Sequence, residues 1–166
     1  PSGVRMAGDS TAAPAAPLAC ARAGSDALLG VARDLLVALP LTLAEGAIWR
    51  DSTSATSCRG NVPLTTSTVH EYRVARVAAD SATGARTATV ERRSRATIAG
   101  QGAGGSVGTT VVGTGSGQAR LTFDLAAGRY EGGELTSAAE LTVTTAAGVQ
   151  TLRQRGTTRV TRVPSP

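Results

Sequence analysis

Leu121, Phe123 and Leu125 alternate with Arg120, Thr122 and Asp124. This period of two predicts a β-strand with one buried and one wet face. Ala126-Ala127-Gly128 follows, and glycine accepts the positive φ that a tight turn needs. The same Ala-Ala-Gly sequence recurs at residues 146–148. Alternating runs punctuated this way predict long strands over residues 65–78, 85–99, 107–125, 129–145 and 149–163, the last three forming a meander of hairpins. The first run is not cleanly alternating, which predicts a bulge. A break is expected in the third at residues 113–117, and a kink in the fourth at Gly132-Gly133. In the second, Ala88, Val90, Ala96 and Ile98 share one face, and Glu91, Arg93, Arg95 and Thr97 share the other. Arg92 falls on the apolar face and is expected near the rim or beside a carboxylate. Leu135, Leu141 and Val143 are the inward residues of the fourth.

One segment switches to helical spacing. Leu28, Val31, Ala32, Leu35, Leu36 and Leu39 form a stripe, with Ser25 as N-cap, Asp26 in the first turn and Pro40 as the stop. A helix over residues 25–39 is predicted, its broad apolar face laid on the sheet. Residues 41–51 read as a short strand bringing Leu41, Leu43 and Trp49 inward, with Trp49 a core plug whose indole N–H meets a carbonyl. Residues 52–62 read as a polar loop carrying Cys58. The expected fold is α+β and mostly β: a long, strongly curved antiparallel sheet, a half-barrel, packed on one amphipathic helix. Its core is Leu28, Leu35, Leu36, Leu39, Trp49, Leu121, Phe123, Leu125, Leu141 and Val143. Residues 1–24, rich in Ala, Pro, Ser and Gly, read as an extended arm or linker. Residues 25–163 form the domain and 164–166 a tail.

Composition narrows the function. Hydrophobic residues make up 41% of the chain, but only one Phe, one Trp and two Tyr are present. The core is therefore aliphatic, and nucleic-acid bases would find little to stack on. Net charge is +5 and all 17 basic residues are Arg. A GC-rich genome explains that bias, yet Arg also makes forked contacts to carboxylates and phosphates. Nucleic acid is an unlikely partner because the arginines are spread along strands. No apolar run reaches the roughly 18 residues of a membrane span. The chain starts at Pro1 rather than Met, as expected after leader removal or inside a longer chain. Cys20 and Cys58 are the two cysteines. A disulfide in an oxidising compartment is the favoured reading, against two buried thiols in a reducing one.

Motifs for chemistry are weak. Residues 100–105 satisfy GxGxxG formally, but no helix follows. Residues 114–117 lack the continuation of a phosphate-binding loop. His70 is the one histidine, and a Ser–His–Asp site would need partners that the sequence does not place. Asp124, Glu131 and Glu134 lie near one turn, where calcium or acid–base chemistry is conceivable. Without convergence they read as a solvated acidic rim. No catalytic residue, metal site or cofactor is assigned. Arg153, Arg155 and Arg159 share one parity on the last strand, and Arg93 and Arg95 share one on the second. They are either an ordinary wet face balanced by Glu91 and Glu140, or an anion-facing interaction surface for acidic protein loops or lipid headgroups.

One helix followed by long antiparallel strands ending in a meander resembles the half-barrel domains of bacterial envelope lipoproteins, the lipoprotein carrier and acceptor family (LolA/LolB). The likeness is carried by residues 111–163, with the Phe123-Asp124 to Gly128-Arg129 turn and the Leu152-Arg153-Gln154 closing strand. It implies a periplasmic or cell-envelope location and an apolar cavity between helix and sheet. Such carriers line that cavity with aromatics and methionine. Here the single methionine, Met6, lies in the arm. The primary expectation is a non-catalytic exported structural or interaction protein. It would dock on a larger membrane-associated assembly through the arm and the Arg face, as an accessory periplasmic subunit, for example of a photosynthetic reaction centre. The alternative is a periplasmic carrier or sensor of a lipophilic ligand held between helix and sheet.

Overall fold

The computed structural model describes residues 20, 37, 39–40, 43–59, 62–81, 84–102 and 108–162. Within them the chain forms six strands: β1 Ile48–Arg59, β2 Val62–Ala79, β3 Arg86–Gln101, β4 Thr110–Asp124, β5 Arg129–Thr145 and β6 Gly148–Thr161. They pair antiparallel with their sequence neighbours in one open sheet, ordered β1-β2-β3-β4-β5-β6.

The expected α+β fold is therefore corrected to all-β. No helix packs on the sheet among the described residues. Leu28, Leu35 and Leu36 lie outside them. Val37 and Leu39 are described in irregular, non-helical backbone, and both pack against the sheet's first core cluster. Pro40 supplies the physical reason at this end, because a proline disfavours α geometry in the residue before it.

The expected polar loop at residues 52–62 is a second correction: most of it belongs to the twelve-residue strand β1. β1 is an edge strand bonded to β2 alone. With one neighbour and a mostly exposed pattern, it needs no apolar alternation, so its Ser and Thr residues hid it. β4 also runs unbroken through Gly113, Gly115 and Gly117. These glycines allow close approach rather than a break. A Cβ on Gly113 would collide with the Glu140 carbonyl and the Leu141 side chain. The expected irregularities occur in β2, between Val74 and Arg76, and opposite Gly132.

The apolar face carries two clusters. The first contains Tyr72, Val90, Ala119, Leu121 and Phe123, with Leu39, Trp49, Leu125, Tyr130 and Leu135 packed on it. The second contains Val62, Leu64, Val111 and Leu141, joined by Ile98, Val143 and Leu152. Between them the same face carries a polar row, Asp51–His70–Ser94–Gly117–Ser137, in cross-strand register. Trp49 stacks on Tyr72 with ring centroids 5.0 Å apart, but its indole N–H finds no acceptor among the described residues, where a carbonyl was expected. Arg92 is 3% exposed, so it is in the core rather than at the rim.

Gly133 shows how tightly β5 sits against β4. A Cβ there would stand 2.5 Å from the Arg120 carbonyl oxygen and 2.9 Å from the Tyr130 hydroxyl. Gly133→Ala is expected to cost about 1–3 kcal/mol by overpacking, read as a lower midpoint in denaturant unfolding. An unchanged midpoint would mean that the two strands are further apart than described.

Candidate anion-binding trough

On the opposite parity the sheet is a polar surface. One cross-strand row reads Arg73–Glu91–Arg120–Glu134–Arg159, with charges alternating in sign. Opposite charges facing across strands stabilise the pairing. Arg159 donates to Glu134 at 2.8 Å and Arg153 to Glu140 at 2.8 Å. Arg50 donates from its Nε to Glu71 at 2.9 Å. These exposed pairs hold side chains in place and contribute little stability.

Three arginines of this face are set apart by sharing one cavity, although others there, such as Arg73 and Arg120, are also exposed and without a salt bridge among the described residues. Arg93, Arg95 and Arg155 are exposed and make no salt bridge among the described residues. Arg93 and Arg95 are two apart on β3, which places their side chains on the same side, roughly 7 Å apart along the strand. Arg155 shares a cross-strand row with Arg95, Ser116 and Ala138. All three line one open cavity of about 1250 Å³. Arg50, Glu71, Arg93, Gln118, Thr136 and Arg155 line it from β1, β2, β3, β4, β5 and β6 respectively. All six strands thus contribute side chains to this one recess.

The five arginines singled out from sequence therefore divide. Arg153 and Arg159 are engaged by carboxylates, and Arg93, Arg95 and Arg155 converge on the trough. Sequence reasoning missed Arg50 and Glu71 as lining residues. Glu71 is the one carboxylate of the lining. Its hydrogen bond with Arg50 and that guanidinium's charge hold it below the usual carboxylate range, and the Arg93 and Arg95 charges add to this. Glu71 thus stays ionised and offsets part of the positive field. Glu71→Gln is expected to tighten anion binding about two- to five-fold, the equivalent of one exposed ion pair. Calorimetric titration checks this, and weaker binding would contradict it.

The structure supplies partners for His70 on the buried face. His70 is 5% exposed, and its Nδ1 lies 2.8 Å from the Ser94 Oγ. Asp51 is the cross-strand neighbour of His70, but its carboxylate accepts from the Tyr72 hydroxyl at 3.2 Å. The Ser94–His70 pair faces the core side of the sheet, away from the trough. A ligand in the trough meets Ser94 only from the opposite side. The pairing was illegible in sequence because it joins residues on different strands.

The acidic residues around the β4–β5 turn are spent locally. Asp124 accepts from the Ala126 and Ala127 backbone N–H groups at 3.0 Å, and these bonds lower its carboxyl below the usual range. Arg129 bridges Asp124 and Glu131, and Glu131 is lowered chiefly by its hydrogen bond with Arg129. Arg162 also reaches Glu131, and Arg159 takes Glu134. Cys20 and Cys58 form a disulfide with Cα atoms 5.4 Å apart. No helix among the described residues is long and apolar enough to cross a membrane. Comparison with protein-family models, curated proteins and solved structures returned no match, so the reading of the trough rests on its own geometry.

Proposed function

We propose that this chain is a non-catalytic, exported interaction protein that holds an anionic partner in its Arg-lined trough. As an accessory subunit of the cell envelope or periplasm, it would dock there on a larger membrane-associated assembly. The observation that carries this reading is the convergence of Arg93, Arg95 and Arg155, without salt-bridge partners among the described residues, on one cavity of about 1250 Å³. Several guanidinium groups beside a single carboxylate among the described lining residues, Glu71 opposite Arg93, leave a net positive field that attracts and orients an oxyanion. The disulfide is compatible with an oxidising compartment. The carrier reading concerns the space between the apolar face and residues 25–39, most of which lie outside the described residues, and the polar trough does not bear on it.

Calorimetric titration with inorganic tripolyphosphate tests this. A variant with Arg93, Arg95 and Arg155 changed to Ser is expected to lose binding. A control of equal charge change, with Arg73, Arg153 and Arg159 changed to Ser, is expected to keep most of it. Equal loss in both, or no binding by the native chain, would overturn the reading.

A further inference from the structure

We infer that the occupant of the trough is an extended, acidic polypeptide segment of a partner protein, with carboxylates at alternate positions. This rests on the anion-site reading above. The volume of about 1250 Å³ exceeds the range of roughly 300–1,000 Å³ usual for small-molecule sites, so it suits a stretch of polymer. No aromatic residue lines it among the described residues, which leaves no stacking platform of the kind that nucleic-acid bases use. A recess set into one face of the sheet is better matched by a protruding chain than by a planar bilayer, which would meet only its rim.

The spacing of the arginines matches an extended peptide. Arg93 and Arg95 repeat along β3 at roughly 7 Å, the two-residue rise of a strand. An extended Glu-X-Glu segment running alongside presents its carboxylates at the same period, so each can be taken by one guanidinium fork. Arg155 on β6 is placed for a third acid. The rest of the lining fits a peptide as well. Ser116, Gln118, Thr136 and Thr157 supply both donors and acceptors. A docked main chain needs these for its N–H and C=O groups once it leaves water, whereas a simple anion would use only the donors.

Fluorescence anisotropy of a labelled Thr-Glu-Thr-Glu-Thr-Glu peptide tests the inference, beside a Glu-Glu-Glu-Thr-Thr-Thr peptide of equal charge, tripolyphosphate, and large unilamellar vesicles of anionic phospholipid. The alternating peptide is expected to bind several-fold more tightly than the block peptide. The triple Ser variant is expected to weaken it about ten-fold, in line with three exposed charge-assisted contacts. Arg155→Ser alone, on the exposed edge strand, serves should the triple variant fail to fold, with about a two-fold loss expected. Tripolyphosphate or vesicles binding in an Arg93/Arg95/Arg155-dependent way, without the peptide, would overturn the peptide inference and leave the anion site standing. Equal affinity for the two peptides would overturn the register argument. No binding of any probe would overturn the anion site itself.

Discussion

Tyr72→Ala is expected to destabilise the protein by about 3–5 kcal/mol, the range for truncating a buried aromatic residue. Tyr72 is 1% exposed and stands in the cross-strand row Trp49–Tyr72–Arg92–Ala119. Its ring lies nearly parallel to that of Trp49, with an interplanar angle of 9°, so truncation opens a cavity and strips the indole of its stacking partner. It also removes the hydroxyl that donates to Asp51 at 3.2–3.3 Å. Tyr72→Phe isolates this last contribution and is expected to cost about 1–2 kcal/mol. The hydroxyl also sets an alkaline limit. Burial first, and then the Asp51 charge, push it from 10.0 up to about 12. The folded state thus favours the neutral phenol. Its contribution is complete below pH 10 and is lost as pH rises from 10 towards 12. Denaturant unfolding at a series of alkaline pH values should show falling stability in that window for the native chain and a flatter profile for Tyr72→Phe. Identical profiles would contradict the placement of Tyr72.

Loss of the Cys20–Cys58 bond is expected to cost about 3–4 kcal/mol, by the loop-closure entropy of a cross-link of this span. The cysteines are 38 residues apart in sequence, and Cys58 lies near the end of β1, which β2 alone holds. Without the cross-link the unfolded chain regains freedom, and the β1 edge loses its second attachment. Cys20→Ser, Cys58→Ser and the double variant should be equally destabilised, because each removes the same bond. Amide exchange should rise most in β1. A reductant that leaves the melting temperature unchanged would contradict the prediction.

What could be read from sequence depended on whether a residue's role was local. Leu121, Phe123 and Leu125 declared a strand because their alternation is a property of neighbours in the chain, and Ala126-Ala127-Gly128 declared its turn for the same reason. Gly128 takes φ +63 there. The shared parity of Arg93 and Arg95 was legible too. β1 was legible only at its start, where the strand expected over residues 41–51 overlaps Ile48–Asp51; the rest of this edge strand is polar on both faces and lacks alternation to detect. The apolar stripe of residues 28–39 stated which face a helix would bury. It did not state that Leu39, before Pro40, would meet the core in non-helical backbone. The trough was hidden for a deeper reason. Parity assigns residues to faces, but which residues of one face share a recess depends on how all six strands coil together. For that reason Arg155 and Arg93, far apart in sequence, were named as one surface without being seen to share a cavity. The Ser94–His70 bond, spanning two strands, was invisible for the same reason.

On the proposed function, Arg93, Arg95 and Arg155 act together as the anion-binding groups of one cavity. The most direct measurement is the Nε–Hε nuclear magnetic resonance signal of each arginine during titration with the alternating acidic peptide. The account predicts saturable shifts for Arg93, Arg95 and Arg155 with a common affinity, while Arg153 and Arg159, engaged by Glu140 and Glu134, shift little. Uniform shifts across all the surface arginines, or shifts confined to Arg153 and Arg159, would contradict it.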